Sequence, residues 1–242
     1  MIRLDVTDST NSRAMALAED GAPHGTVVVA DSQTGGRGRQ GRRWISPPGV
    51  NIYVSLLLRP DLPNARVPAL SLMAGIALAD ATDREGVPAL LKWPNDLYLG
   101  ERKAAGILVE TAFDAGRLRY AVVGAGINVN LPEEAIPGEL RGKATSMRIR
   151  AGRVFDREAV LAAFLDAFAE RYRQYLAGGF PAVHADWARR DFLRWRRVLL
   201  SRPGGEAWGT AQGVDEEGAL RFRPDGTAAI ERVHGGEILC FS

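Results

Sequence analysis

Gly35-Gly36-Arg37-Gly38-Arg39-Gln40-Gly41-Arg42-Arg43-Trp44 is the stretch that decides how this chain is read. Four glycines and four arginines share ten residues, and the stretch ends on an indole. Glycine lets a backbone take positive φ and come close to a ligand. Arginine offers a fixed fork of donors to phosphate or carboxylate. An indole stacks on a base or closes over an apolar ligand. The combination points to a loop that wraps a small anionic molecule; a solvated surface loop is the plainer alternative. Gly36-x-Gly38-x-x-Gly41 has the form of a dinucleotide fingerprint, but that motif opens a helix whose N-terminus meets the pyrophosphate. Here Pro47, Pro48 and Gly49 follow, which forbids a continuous helix. Gln40-Gly41-Arg42-Arg43 lacks the Lys-Ser/Thr pair of a Walker loop. A disordered Arg/Gly nucleic-acid segment would repeat, and this stretch is short and single.

Toward the N-terminus, 27–30 reads as a buried strand that leads through Gln33 into the loop. Residues 2–6 alternate as a short strand, and Asp8-Ser9-Thr10-Asn11-Ser12 offers N-caps to a helix over 14–19. The same hydroxyls and amide also suit a small polar ligand. His24 stands alone and reads as a turn residue. Toward the C-terminus, 51–58 is an apolar strand and 70–81, rich in Ala, Leu and Met, a buried helix. In Lys92-Trp93-Pro94-Asn95-Asp96, the proline forces a kink or a sheet edge. Lys92 and Asp96 either pair with each other or face a pocket. Lys103 enters the apolar run 104–110. A lysine at the mouth of a buried strand is a strong counter-charge for an anion; a surface lysine in a hairpin turn is the alternative. The strand 120–130 carries Gly124-Ala125-Gly126, which lets something approach its backbone, and Asn128, which either bonds an adenine edge or closes a turn. Helical spacing covers 156–175, and a second helix runs over 180–192 to a basic end. From Val198, short alternating runs separated by turn signals suggest a small all-β barrel, so the boundary falls near Arg197, with units 1–197 and 198–242.

With 242 residues, 46% of them apolar, the chain can build a sizeable core. A net charge of +2 is not the footprint of a nucleic-acid-binding molecule as a whole. The single Cys240 excludes an intramolecular disulfide, fits a reducing compartment, and reads as a small buried apolar side chain. Neither a signal peptide nor a run of about eighteen apolar residues is evident, so a soluble cytoplasmic protein without a membrane partner is expected.

Taken in order, Asp8 to Asn11, Gln33 to Trp44, Lys92 to Asp96, Arg102-Lys103-Ala104-Ala105-Gly106-Ile107-Leu108 and Gly124 to Asn128 resemble the biotin protein ligases, or biotin–[acetyl-CoA-carboxylase] ligases. Gly213-Val214-Asp215, Gly218-Ala219-Leu220 and Gly235-Gly236-Glu237 look like that family's end domain, so the resemblance covers nearly the whole chain. It implies an α+β fold: a mixed β-sheet with helices on one face, as in class II aminoacyl-tRNA synthetases, then a small C-terminal Src-homology-3-like β-barrel. It also implies activation of biotin by MgATP to biotinyl-5'-AMP, followed by transfer to a lysine of a biotin carboxyl carrier protein of acetyl-CoA carboxylase. The substrates are then biotin, ATP and Mg2+, with no residue assigned as a metal ligand. Carried over by motif, Lys103, Arg39 and Asp96 are the catalytic set. Biotin falls to Ser9, Thr10, Asn11, Gln33, Gly36, Arg37, Gly38, Arg39, Lys103 and Gly106. ATP falls to Arg37, Gly38, Arg39, Trp44, Lys92, Asn95, Lys103 and Asn128, with Trp44 on the adenine. Ala104 departs from the leucine expected after the lysine, which leaves the chemistry intact. The ligase motif begins at Asp8, so no N-terminal helix-turn-helix domain, DNA binding or repression is expected; a homodimer is compatible with the resemblance. A lipoate or octanoate ligase or transferase is the alternative enzyme, although its glycine-rich signature is not found. A nucleic-acid-binding module is the alternative from another class.

Overall fold

Runs of Val, Ile and Leu bounded by glycine and proline build the larger sheet. The computed structural model describes residues 1–241. Strands β1 (Ile2–Thr7), β2 (Thr26–Gln33), β3 (Ile52–Leu58), β4 (Leu90–Lys92), β5 (Asp96–Leu99), β6 (Arg102–Asp114) and β7 (Arg117–Ile127) form a seven-stranded sheet in the order β1-β2-β3-β7-β6-β5-β4. β1 runs parallel to β2 and every other pair is antiparallel, so the sheet is mixed, as expected. β4 is an edge strand, and Pro94 sits in the turn after it, where no ladder is broken.

The helices are α1 (Thr10–Glu19), α2 (Leu70–Arg84), α3 (Met147–Ala151), α4 (Arg157–Gly178) and α5 (Pro181–Arg190). Every residue of β3 is buried, which requires cover on both faces of the sheet. α1 lays Ala14 and Ala18 on Val28, Leu57 and Val122. α2 and α4 cover the opposite face, over Val54, Leu56, Val123 and Ala125. This corrects the expectation of helices on one face: strand side chains alternate between faces, and α1 packs on the second. α4 starts on Asp156, whose carboxylate accepts from Glu158 N at 2.8 Å, and buries Val160, Phe164, Phe168 and Tyr172 at helical spacing.

β8 (Arg197–Arg202), β9 (Gly205–Val214), β10 (Leu220–Pro224), β11 (Glu231–Val233) and β12 (Glu237–Phe241) form an antiparallel sheet in the order β11-β10-β9-β8-β12. Among the described residues its two edge strands do not pair with each other, so the five strands form an antiparallel sheet that does not close on itself, where a small barrel is expected. Val198, Leu200, Phe222 and Ile238 join the core that holds α2 and α4. Cys240 is exposed, against the expectation of burial. A register shift between Ile238 and Cys240 breaks the alternation there and turns the thiol away from the core.

Asp191 lies where the chain leaves α5 for the second sheet. Its Oδ1 accepts from Leu193 N at 3.0 Å, while Oδ2 is buried without a partner among the described residues. Burial pushes this carboxyl up to about 6. The folded state therefore keeps a proton that the unfolded chain, near 3.8, has released. That contribution to stability is complete below the unfolded value and lost as pH rises through the folded one. Asp191→Asn should raise stability at pH 7.5 by about 1–3 kcal/mol and change it little at pH 3.5, as read from urea midpoints across the range.

Candidate active site

Gly106 of β6 and Gly126 of β7 are partners across the ladder. A Cβ on Gly126 would run into Trp44 Nε1, and one on Gly106 would stand 3.3 Å from Trp44 Cζ3. The indole thus lies over the glycine pair, with Nε1 buried and unbonded among the described residues. Around it is a cavity of about 870 Å³, walled by the start of α1, the Gly/Arg loop, the β4–β5 hairpin, β6, the end of β7, and β12. Ser9, Thr10, Asn11, Gln33, Arg37, Gly38, Arg39 and Trp44 all line it, as do Lys92, Asn95, Asp96, Lys103, Gly106 and Asn128. Gly36 does not; it lies behind the loop, where a Cβ would press on Trp44 O and Ser46 Oγ.

The loop doubles back through a short antiparallel bridge between Arg37 and Arg43, with Gln40 and Gly41 at positive φ on its tip. Its arginines tie it to both sheets. Arg37 pairs with Glu110 of β6 at 2.8 Å, and Arg42 pairs with Glu237 of β12. Arg39 donates to Asn95 Oδ1 at 3.3 Å and to Gly236 O at 3.1 Å.

Lys103 Nζ sits 2.6 Å from Asp96 Oδ1 and 5.5 Å from the Trp44 ring centre. Asp96 is thus taken by Lys103 rather than by Lys92, although Lys92 and Asp96 are register partners. Lys92 is 7% exposed and, among the described residues, donates only to Ile238 O, at 3.4 Å. Burial lowers its pKa, partly offset by Asp96. Burial also lowers that of Arg39, with Asp96 and Glu237 acting against it. Among the described residues neither Arg39 nor Lys92 forms a direct ion pair, so each faces the cavity with its charge only partly offset, at longer range, by Asp96 and Glu237. A desolvated cation in this state gains most from an incoming anion.

At the other end, Ser9 occupies the N-cap of α1 but makes no capping bond. Gln33 Oε1 accepts from Thr10 N at 2.9 Å instead, and Gln33 Nε2 donates to Ser46 Oγ at 2.9 Å. Ser55 Oγ lies 2.8 Å from Thr10 Oγ1 and 2.6 Å from Asn11 Oδ1. Asn95 spends its Nδ2 on Ile107 O at 2.7 Å. Asn128 donates to Thr145 O and accepts from Asn51, so it is largely committed to closing its turn. Glu110, Ser55, Ser46, Gly236 and Glu237 were missed from sequence. Glu110 gives a signal as the charged end of an apolar strand, Gly236 and Glu237 stand in a stretch that resembles the family's end domain but carries no site role there, and Ser46 and Ser55 give none. Among the described residues no three His, Cys, Asp or Glu side chains gather to hold a metal, and no helix is long and apolar enough to cross a membrane.

The model of the Biotin/lipoate A/B protein ligase family matches residues 4–128. The biotin–[acetyl-CoA-carboxylase] ligase of Paracoccus denitrificans is 35% identical over 232 residues, covering 93% of this chain and 95% of that protein. The bifunctional ligase/repressor BirA of Bacillus subtilis is 36% identical over 239 residues, covering 98% of this chain and 73% of that protein. A structure of the Aquifex aeolicus biotin protein ligase in complex with biotin and ATP superposes with a TM-score of 0.85 at 33% identity, covering 100% of this chain and 97% of that one. The chain belongs to the biotin/lipoate A/B protein ligase family.

Proposed function

We propose that the chain is a biotin–[acetyl-CoA-carboxylase] ligase that makes biotinyl-5'-AMP and passes biotin to a lysine of a carboxyl carrier protein. The observation that carries this reading is the two cations without a direct ion pair among the described residues, Arg39 and Lys92, beside Lys103 in a cavity with a polar end at Ser9, Thr10 and Asn11. In the first step a carboxylate oxygen of biotin attacks the α-phosphorus of MgATP and pyrophosphate leaves. Two anions must approach, and Arg39, Lys92 and Lys103 lower that repulsion. Mg2+ enters with ATP, held chiefly by its phosphates, which needs few protein ligands. In the second step the acceptor amine attacks the acyl carbon, AMP leaves, and the amine proton passes to Asp96.

Trp44 and Gly106–Gly126 form the bed for a flat ring, and Asn128 keeps one N–H and one lone pair for adenine. The Gly/Arg loop shields the labile anhydride from water. Gly36 supports this loop from behind. The small sheet belongs to the same reading as an open relative of a Src-homology-3-like barrel, and its first strand supports a boundary at Arg197.

Lys103→Ala should cut biotin-dependent pyrophosphate release about 100-fold or more with the fold intact by circular dichroism; near wild-type release removes Lys103 from the chemistry. Trp44→Ala should raise the KM for ATP by roughly 5- to 100-fold, the value of one stacked base, and that for biotin by less. Mass spectrometry of a carrier domain after incubation with MgATP and biotin, lipoate or octanoate tests the substrate. Addition of lipoyl or octanoyl groups alone would refute biotin.

A further inference from the structure

Glu110 takes no part in either chemical step, yet it joins the Gly/Arg loop to Asn11. Its carboxylate accepts from Arg37 Nη2 at 2.8 and 3.0 Å and from Asn11 Nδ2 at 2.8 Å. We propose that Glu110 is a positioning residue: it fixes which atom of the Asn11 amide faces the ligand and couples that choice to the position of the Gly/Arg loop. The proposal rests on the cavity being the site where the acid substrate is bound.

An ionised carboxylate only accepts hydrogen bonds, so Asn11 must turn its NH2 group toward it. The second Nδ2 hydrogen goes to Leu108 O at 3.2 Å. Both donors of the amide are then spent. Oδ1 accepts from Ser55 at 2.6 Å and keeps one lone pair. Asn11 thus offers the cavity an acceptor and no donor, the complement of a ligand N–H such as a ureido group carries. Gly124 makes this placement feasible, because a Cβ there would occupy the position of the Asn11 amide.

The loop is bound into the same chain of bonds. From Arg37 it runs through Glu110, Asn11, Ser55 and the Thr10 hydroxyl, passes to Gln33 Oε1 through the Thr10 backbone N–H at 2.9 Å, and continues by Ser46 back to the loop at Trp44 O, which accepts from Ser46 Oγ at 3.1 Å. Glu110→Gln puts a neutral amide there, which can present either of its ends. It would no longer enforce the orientation of Asn11 and would hold Arg37 without charge.

The test is Glu110→Gln in the full chain, with Asn11→Ala, the double variant and Glu110→Asp. Trypsin cleavage after Arg37, Arg39, Arg42 and Arg43, located by mass spectrometry without ligand, should speed up about fivefold or more at unchanged Tm. The KM for the acid substrate should rise about tenfold while that for ATP stays within about twofold. Adding Asn11→Ala should worsen the Gln variant by less than about twofold, and Glu110→Asp should recover part of the loss. Unchanged loop cleavage, equal rises in both KM values, or losses that multiply independently would overturn the proposal. The acid is whichever of biotin, lipoate and octanoate the wild type adenylates, so a wrong substrate assignment shows in the wild type alone. Should none be adenylated, the ligase reading fails and the cleavage rates still decide the role of Glu110.

Discussion

Two positive charges kept partly out of water, with no carboxylate paired to them among the described residues, set the terms for this molecule. Arg39 leans on the oxygens of Asn95 and Gly236, and Lys92 on that of Ile238. The acids that act on both are held elsewhere: Asp96 by Lys103 and Glu237 by Arg42. Withdrawing a cation from water costs several kcal/mol unless something replaces the hydration. Neutral carbonyls replace part of it, and an anionic guest replaces the rest. The cavity is therefore set for anions before one arrives.

The rest of the architecture serves that setting. Coverage of the large sheet on both faces leaves α1 free to present Ser9, Thr10 and Asn11 on the face opposite the main helical layer. The small sheet is a wall of the site, since β12 supplies Glu237 and Ile238 and shares an aromatic cluster with the large one. In that cluster Phe192 lies 4.6 Å from Tyr98 and 5.0 Å from Phe241.

Local features were legible from residues alone. Pro47 and Pro48 ruled out a helix after the glycines, and α2 and α4 showed their spacing. What hid were choices made between distant partners. Lys92 and Asp96, four apart, could be read either as a pair or as two groups facing a pocket, and only the pairing of β5 with β6, which brings Lys103 to the carboxylate, decides between them. Which face α1 would take depends on strand register, which no segment contains by itself. Ring closure of the small sheet depends on whether its first and last edges meet, and a single irregularity in β12 was enough to send Cys240 outward.

The bond from Arg39 to Gly236 spans 197 positions. A ribosome adds residues in order, so the glycine-rich segment emerges long before the carbonyl that steadies it. During that interval a growing polypeptide has Arg39 without this anchor and a cavity missing one wall. The order of synthesis thus leaves the last wall of the pocket to the final residues made.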